Sequence, residues 1–176
     1  MGIGPHAMFG KTQMGVGTGG WMHAEVMDDV ELVGRLHATD FFEYSGKGGV
    51  FDDVFAGGSL GVRGRYRYLP TLLVGAEAMI DYQVRTSSGE QYLSGIVGIP
   101  VAEQAAPGLW VYTNISLGIA LPLHDDPEVP FFGFQEIPIG MAWQATDWLV
   151  VVAEGGFALA VQDGGGYGGV AVAFRL

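Results

Sequence analysis

Arg63, Arg65 and Arg67 alternate with Gly64 and Tyr66, so an extended backbone would carry all three guanidiniums on one side. Glu77, Asp81 and Arg85 share a parity a few residues later, and Glu31, Arg35, Glu136, Glu154 and Arg175 fall on the matching parity of their own segments. Guanidiniums and carboxylates so arranged can neutralise one another. Where water is excluded they must, because an isolated buried ion is too costly to keep charged. The expected assembly is a mutually paired network of Arg35, Arg63, Arg65, Arg67, Glu77, Asp81, Arg85, Glu136, Glu154 and Arg175, with Glu31 beside it. The functional alternative for the same residues is a narrow ion path or gate.

Other chemistry has thinner support. His37, Ser59, Ser94 and Ser116 share the polar parity and could supply a base and a nucleophile, but no GxSxG or comparable spacing accompanies them. His6, Met8, Met14, Met22, His23 and Met27 are soft ligands of the kind that suit Cu(I), at irregular spacing. His124, Asp125, Asp126 and Glu128 form an acidic stretch that could attract Ca²⁺ or bridge anionic lipopolysaccharide through divalent ions. A solvated acidic loop is the simpler reading, and no catalytic, cofactor or metal residue is assigned.

These side chains need a scaffold, and the sequence supplies one of period two. From Ile137 to Val161 it reads IPIGMAWQATDWLVVVAEGGFALAV. Ile137, Ile139, Met141 and Trp143 oppose Glu136, Pro138, Gly140 and Ala142. After a polar break at 144–147, Leu149, Val151, Ala153 and Phe157 oppose Val150, Val152, Glu154 and Gly156. That is a β-hairpin. The same alternation over 30–39, 59–68, 72–85, 92–99, 109–121 and 169–176 predicts six more strands, eight in all. Residues 1–29 are expected to lead into the barrel or pack on it, and 30–176 to form it. Connections are short after Tyr68, at 102–108 and at 144–147. Those at 40–55, 86–91, 124–130 and 163–166 are mostly longer and carry much of the acid. An all-β, eight-stranded, antiparallel up-and-down barrel reads this way.

Which side meets water is decided by charge. A soluble lipocalin-like ligand-binding barrel would turn the Leu/Val/Ile side inward and expose the other. Charged residues are only 15% of the chain, about one per strand on the mixed side, too sparse for a soluble exterior. The alternative places the apolar side in lipid and the small and polar side in a lumen, a transmembrane β-barrel. Tyr66, Tyr68 and Trp143 then gather near the short-turn rim and Tyr82 near the other, as interfacial aromatics do. No uncharged apolar stretch is long enough for a transmembrane helix. The start lacks the basic and apolar regions of a secretory signal, so Met1 reads as an initiator on a mature chain. Cysteine is absent, and a net charge of −11 disfavours nucleic acid as a partner.

With these strands and turns in place, residues 30–176 resemble the bacterial outer-membrane β-barrels, specifically the small eight-stranded OmpA-like and OmpX-like members. The final GYGGVAVAFRL is similar to that class's C-terminal assembly signal, with Tyr167, Val170, Val172 and Phe174 in step and Leu176 where Phe is typical. The resemblance implies a bacterial outer-membrane location, with outer-membrane lipid, lipopolysaccharide and the barrel-assembly machinery as partners. It implies no cofactor. The expected role is structural, adhesive or surface-interaction, carried by acidic loops after Phe41, Arg85 and Leu123. A lipid-modifying or small-hydrophobe-handling outer-membrane enzyme or transporter is the second reading.

Overall fold

The computed structural model describes residues 1–9, 13–43, 54–123, 132–160 and 164–174. They form ten strands: β1 (Gly2–Phe9), β2 (Gln13–Met27), β3 (Val30–Glu43), β4 (Val54–Leu69), β5 (Leu72–Arg85), β6 (Gln91–Ala106), β7 (Leu109–Pro122), β8 (Phe132–Gln144), β9 (Leu149–Ala160) and β10 (Gly164–Phe174). Each pairs antiparallel with its neighbour in the chain, and β1 pairs with β10, so the sheet closes into an up-and-down barrel.

The expected eight strands are thus corrected to ten. Residues 2–9 and 13–27, read from sequence as a lead-in segment, supply β1 and β2. Their inward parity contains Gly2, Gly4, Gly17 and Gly19, so the alternation is apolar against glycine, and its low contrast looks like a linker. The remaining strands coincide with the expected ones, and most run longer. β6 reaches Ala106 and leaves Pro107-Gly108 as the turn, and residues 164–166 join β10. At that turn Gly108 has φ 75°, a conformation that proline before it and glycine at this position favour. In the equally tight β2–β3 turn Asp29 takes φ 63°, which aspartate tolerates better than most side chains, and its carbonyl accepts the Arg65 N–H at 2.7 Å.

Polarity is inverted relative to a water-soluble barrel. Leu36, Ile80 and Phe157 are 72%, 64% and 65% exposed on the outside, whereas Glu77 and Asp81 are each 3% exposed within. Among the described residues the outward parity carries a charge only near strand ends, Asp40 in β3 and Glu103 in β6. An aliphatic belt with this little charge suits hydrocarbon, where each central charge would cost about 2–4 kcal/mol. Exposed Tyr66, Tyr68, Trp143 and Trp148 stand toward the short-turn rim, and the Trp148 indole stacks on Phe174 with ring centroids 6.1 Å apart. Tyr82 lies toward the opposite rim and donates its hydroxyl to Gln91 Oε1 at 2.9 Å.

The barrel closes between β1 and β10 with an interruption. Pairing runs through Gly2↔Ala173 and Ile3↔Val172 and resumes at His6↔Gly169, skipping Gly4 and Pro5. Pro5 has no N–H to give. The strands nevertheless approach so closely that a Cβ on Gly4 would fall 2.2 Å from the Val170 carbonyl oxygen. Met1 helps to tie the rim, donating its amino group to Phe174 O at 3.0 Å.

Candidate functional site

Strand register brings the lumen charges together. Arg63 on β4 lies directly opposite Glu77 on β5, and on its other side opposite Glu31 on β3. Glu77 is the hub. Its Oε2 accepts from Arg63 Nε at 2.8 Å and again from Arg63 Nη2, while its Oε1 accepts from Arg35 Nη2 at 3.0 Å and from Asn114 Nδ2 at 3.2 Å. One carboxylate on β5 therefore ties β3, β4 and β7 across the lumen. The chain of alternating charge continues toward the short-turn rim. Glu31 meets Arg65 at 2.9 Å, Arg63 at 3.9 Å and His23 at 3.7 Å, and Arg65 also reaches Glu25 at 3.6 Å.

Of the residues expected in the network, Arg35, Arg63, Arg65 and Glu77 are joined in this way. Arg67 turns to the rim and donates to the Pro70 carbonyl at 2.7 Å. Arg85 sits at the loop end, 3.3 Å from Glu90, with its guanidinium 5.5 Å from the centre of the Phe55 ring. Asp81 accepts from Gln83 Nε2 at 2.7 Å, and Glu154 accepts the Tyr112 hydroxyl at 2.8 Å. Glu136 stands on the inward parity of β8, opposite Ser116 of β7. Arg175 lies outside the described residues, as does the 124–131 acidic stretch.

Asn114, Tyr112, Glu25 and His23 belong to the site but were not expected in it. The first two stand on the inward parity of β7, so their facing was legible, but their partners depend on register. Tyr112 also explains one of the 30 glycines. It is paired with Gly140, and its ring lies flat where a side chain there would stand, with Cζ 2.3 Å from the position of a Cβ. Trp21 over Gly2 and Met79 over Gly61 repeat the arrangement. Gly140→Ala is expected to lift Tyr112 off the wall and break its bond to Glu154. Tyr112→Phe loses the same bond, at a cost of about 1.5–3 kcal/mol for a hydrogen bond to a charged group. In denaturant titration the double variant should then cost clearly less than the sum of the two, and full additivity would refute the coupling.

The other constellations do not assemble. Ser116 Oγ donates to the Glu136 carbonyl at 3.5 Å, and His6 bonds a threonine rather than one of the candidate serines. His6 is inside, its Nε2 2.7 Å from Thr39 Oγ1, whereas Met22 and Met27 are exposed on the outward side. The side chains of Met8 and Met14 lie outside the described residues. No group of three metal-ligating acids or histidines converges among the described residues.

A closed antiparallel barrel with an aliphatic exterior and its charges gathered on the inner wall has the fold of the bacterial outer-membrane β-barrels. Among solved structures it is similar to the outer-membrane protease OmpT from Escherichia coli, with TM-score 0.56 and 9% identity over 99% of this chain and 93% of that one. It also aligns with Ail, the attachment invasion locus protein of Yersinia pestis, at TM-score 0.44 and 11% identity, covering 99% of this chain and 95% of that one. A third match is a loop-deletion mutant of OmpT, an outer membrane protein of Vibrio cholerae, at TM-score 0.48 and 10% identity over 97% of this chain. The chain spans 62% of the length of that protein. No protein-family model matches the sequence, and no curated protein matches it.

Proposed function

We propose that this protein is a bacterial outer-membrane barrel whose lumen is plugged by its own ions and whose work is structural or surface-interaction. The observation that carries the reading is Glu77, a carboxylate 3% exposed that ties three other strands through two guanidiniums and an amide. A cluster that ties β5 to β3, β4 and β7 from the inner wall is what a self-plugged lumen requires. Contact with partners then falls to the rim that carries Glu90, and the sequence connecting β3 to β4 and β7 to β8 is itself rich in acid. Lipopolysaccharide, bridged through divalent ions, and outer-membrane lipid fit that charge and the aliphatic belt. The barrel-assembly machinery would insert the chain.

Reconstitution tests both halves of the reading. Environment-sensitive labels at Ile80, Leu117 and Val151 should report hydrocarbon and be quenched from within the bilayer. Labels that report water at all three positions would remove the membrane assignment. Planar-bilayer recording of the wild type should show no large steady conductance, and such a conductance would refute the plug.

A further inference from the structure

At Gly140 and Gly2 a neighbouring ring fills the space that a side chain would take. Gly64 is different. It lies inside β4 on the outward parity, between Val30 of β3 and Ala76 of β5, and a Cβ on it would meet nothing within 4 Å. The pairing on both sides is regular at this point, so no bulge calls for glycine there. Glycine weakens a strand interior, and one reason for it to stand there is the close approach of a ligand.

The open space belongs to a groove of about 590 Å³ on the outside of the barrel. Val30, Gly64, Val74 and Ala76 line its floor, exposed Tyr66 and Tyr68 rise beside it, and Asp29 of the β2–β3 turn stands at its rim end. Two features indicate the occupant. The first is depth: a groove on the aliphatic side, flanked by rim tyrosines, lies where lipid headgroups meet hydrocarbon. An acyl chain entering at the rim can lie over Gly64, whereas a partner helix, about 10–12 Å across, would rest on the Tyr66 ring instead. The second is charge. Arg65 borders the groove, but its guanidinium is held by Glu31 at 2.9 Å and Glu25 at 3.6 Å. The charge left uncancelled at the rim end is that of Asp28 and Asp29, both exposed. These carboxylates repel an anionic headgroup. A primary ammonium is attracted to them and can donate charge-assisted hydrogen bonds.

We propose that this groove holds a single phospholipid with a primary-ammonium headgroup, its chain over Gly64 and its ammonium at Asp29 and Asp28. The proposal rests on the outer-membrane reading and names the lipid that this part of the belt selects. The short turns of such barrels face the periplasm, so the lipid is one of the periplasmic leaflet.

The test is native mass spectrometry of delipidated protein in detergent, to which phosphatidylethanolamine, phosphatidylcholine or phosphatidylglycerol is added, each variant first checked for folding by heat-modifiable gel migration. Wild type should retain one phosphatidylethanolamine, in preference to each of the others by about fivefold, the scale of one exposed ion pair. Asp28→Asn combined with Asp29→Asn should lose that preference while still retaining lipid, and asparagine tolerates the positive φ of Asp29. Gly64→Leu fills the groove and should abolish retention. Gly95→Leu is the control: Gly95 also faces outward with open space, between Ile80 and Ile119, and its variant should retain lipid as wild type does. Equal retention of the three lipids, an unchanged preference in the double asparagine variant, or equal retention by the two leucine variants would overturn the proposal. The labels at Ile80, Leu117 and Val151 keep its failure apart from that of the membrane reading. Hydrocarbon at those positions without a selected lipid removes this site alone, and water there removes both.

Discussion

Glu77→Ala should destabilise the barrel by about 3–5 kcal/mol, the cost expected when one partner of a buried ion pair is removed and the other remains. Here the loss is shared by Arg35, Arg63 and Asn114, all of which bond this carboxylate. Arg63 has the poorest escape, because its side chain is only 16% exposed. It keeps Glu31, but at 3.9 Å that contact is long. The measurement is the denaturant midpoint of protein refolded into vesicles. A companion variant separates charge burial from packing: Glu77→Leu combined with Arg35→Met and Arg63→Met removes the whole cluster and should recover most of the stability, since apolar replacements of buried ion pairs are often neutral. If Glu77→Ala is as stable as wild type, the hub does not hold the strands together.

Leu117→Arg is the second large effect. Leu117 lies mid-strand in β7 on the outward parity, 56% exposed. In hydrocarbon an arginine there costs about 2–4 kcal/mol, falling to about 0–1 kcal/mol near the interface. Val111 has the same facing, near the short-turn end of the same strand. Val111→Arg should therefore be tolerated in the vesicle titration where Leu117→Arg is not. Equal, small costs at the two positions would mean that the belt meets water.

The sequence made facing legible and left adjacency hidden. Period two told which side of β5 holds Glu77 and which holds Ile80, because side-chain direction is a local property of an extended chain. That Arg63 lies beside Glu77 follows from register, which is set by turns and bulges. Arg67 shows the difference. It shares the parity of Arg63 and Arg65, but the register shifts between Arg67 and Leu69, and its guanidinium meets the Pro70 carbonyl of the turn. Arg85 likewise finds Glu90 in the adjoining loop. β1 and β2 escaped because glycine, the residue that weakens a strand pattern, is what the packed inner wall requires. Gly2 leaves room for the Trp21 ring, and Gly17 for His6.

The seam between β1 and β10 bears on how the molecule is made. Every other pairing joins strands adjacent in the chain, whereas this one joins Gly2 to Ala173 and His6 to Gly169, so its loop-closure entropy is the largest. Hairpins can zip in sequence, and the cylinder shuts last. Pro5, with no N–H to give, leaves that final zipper short of a bond at the step the chain must close across its greatest separation.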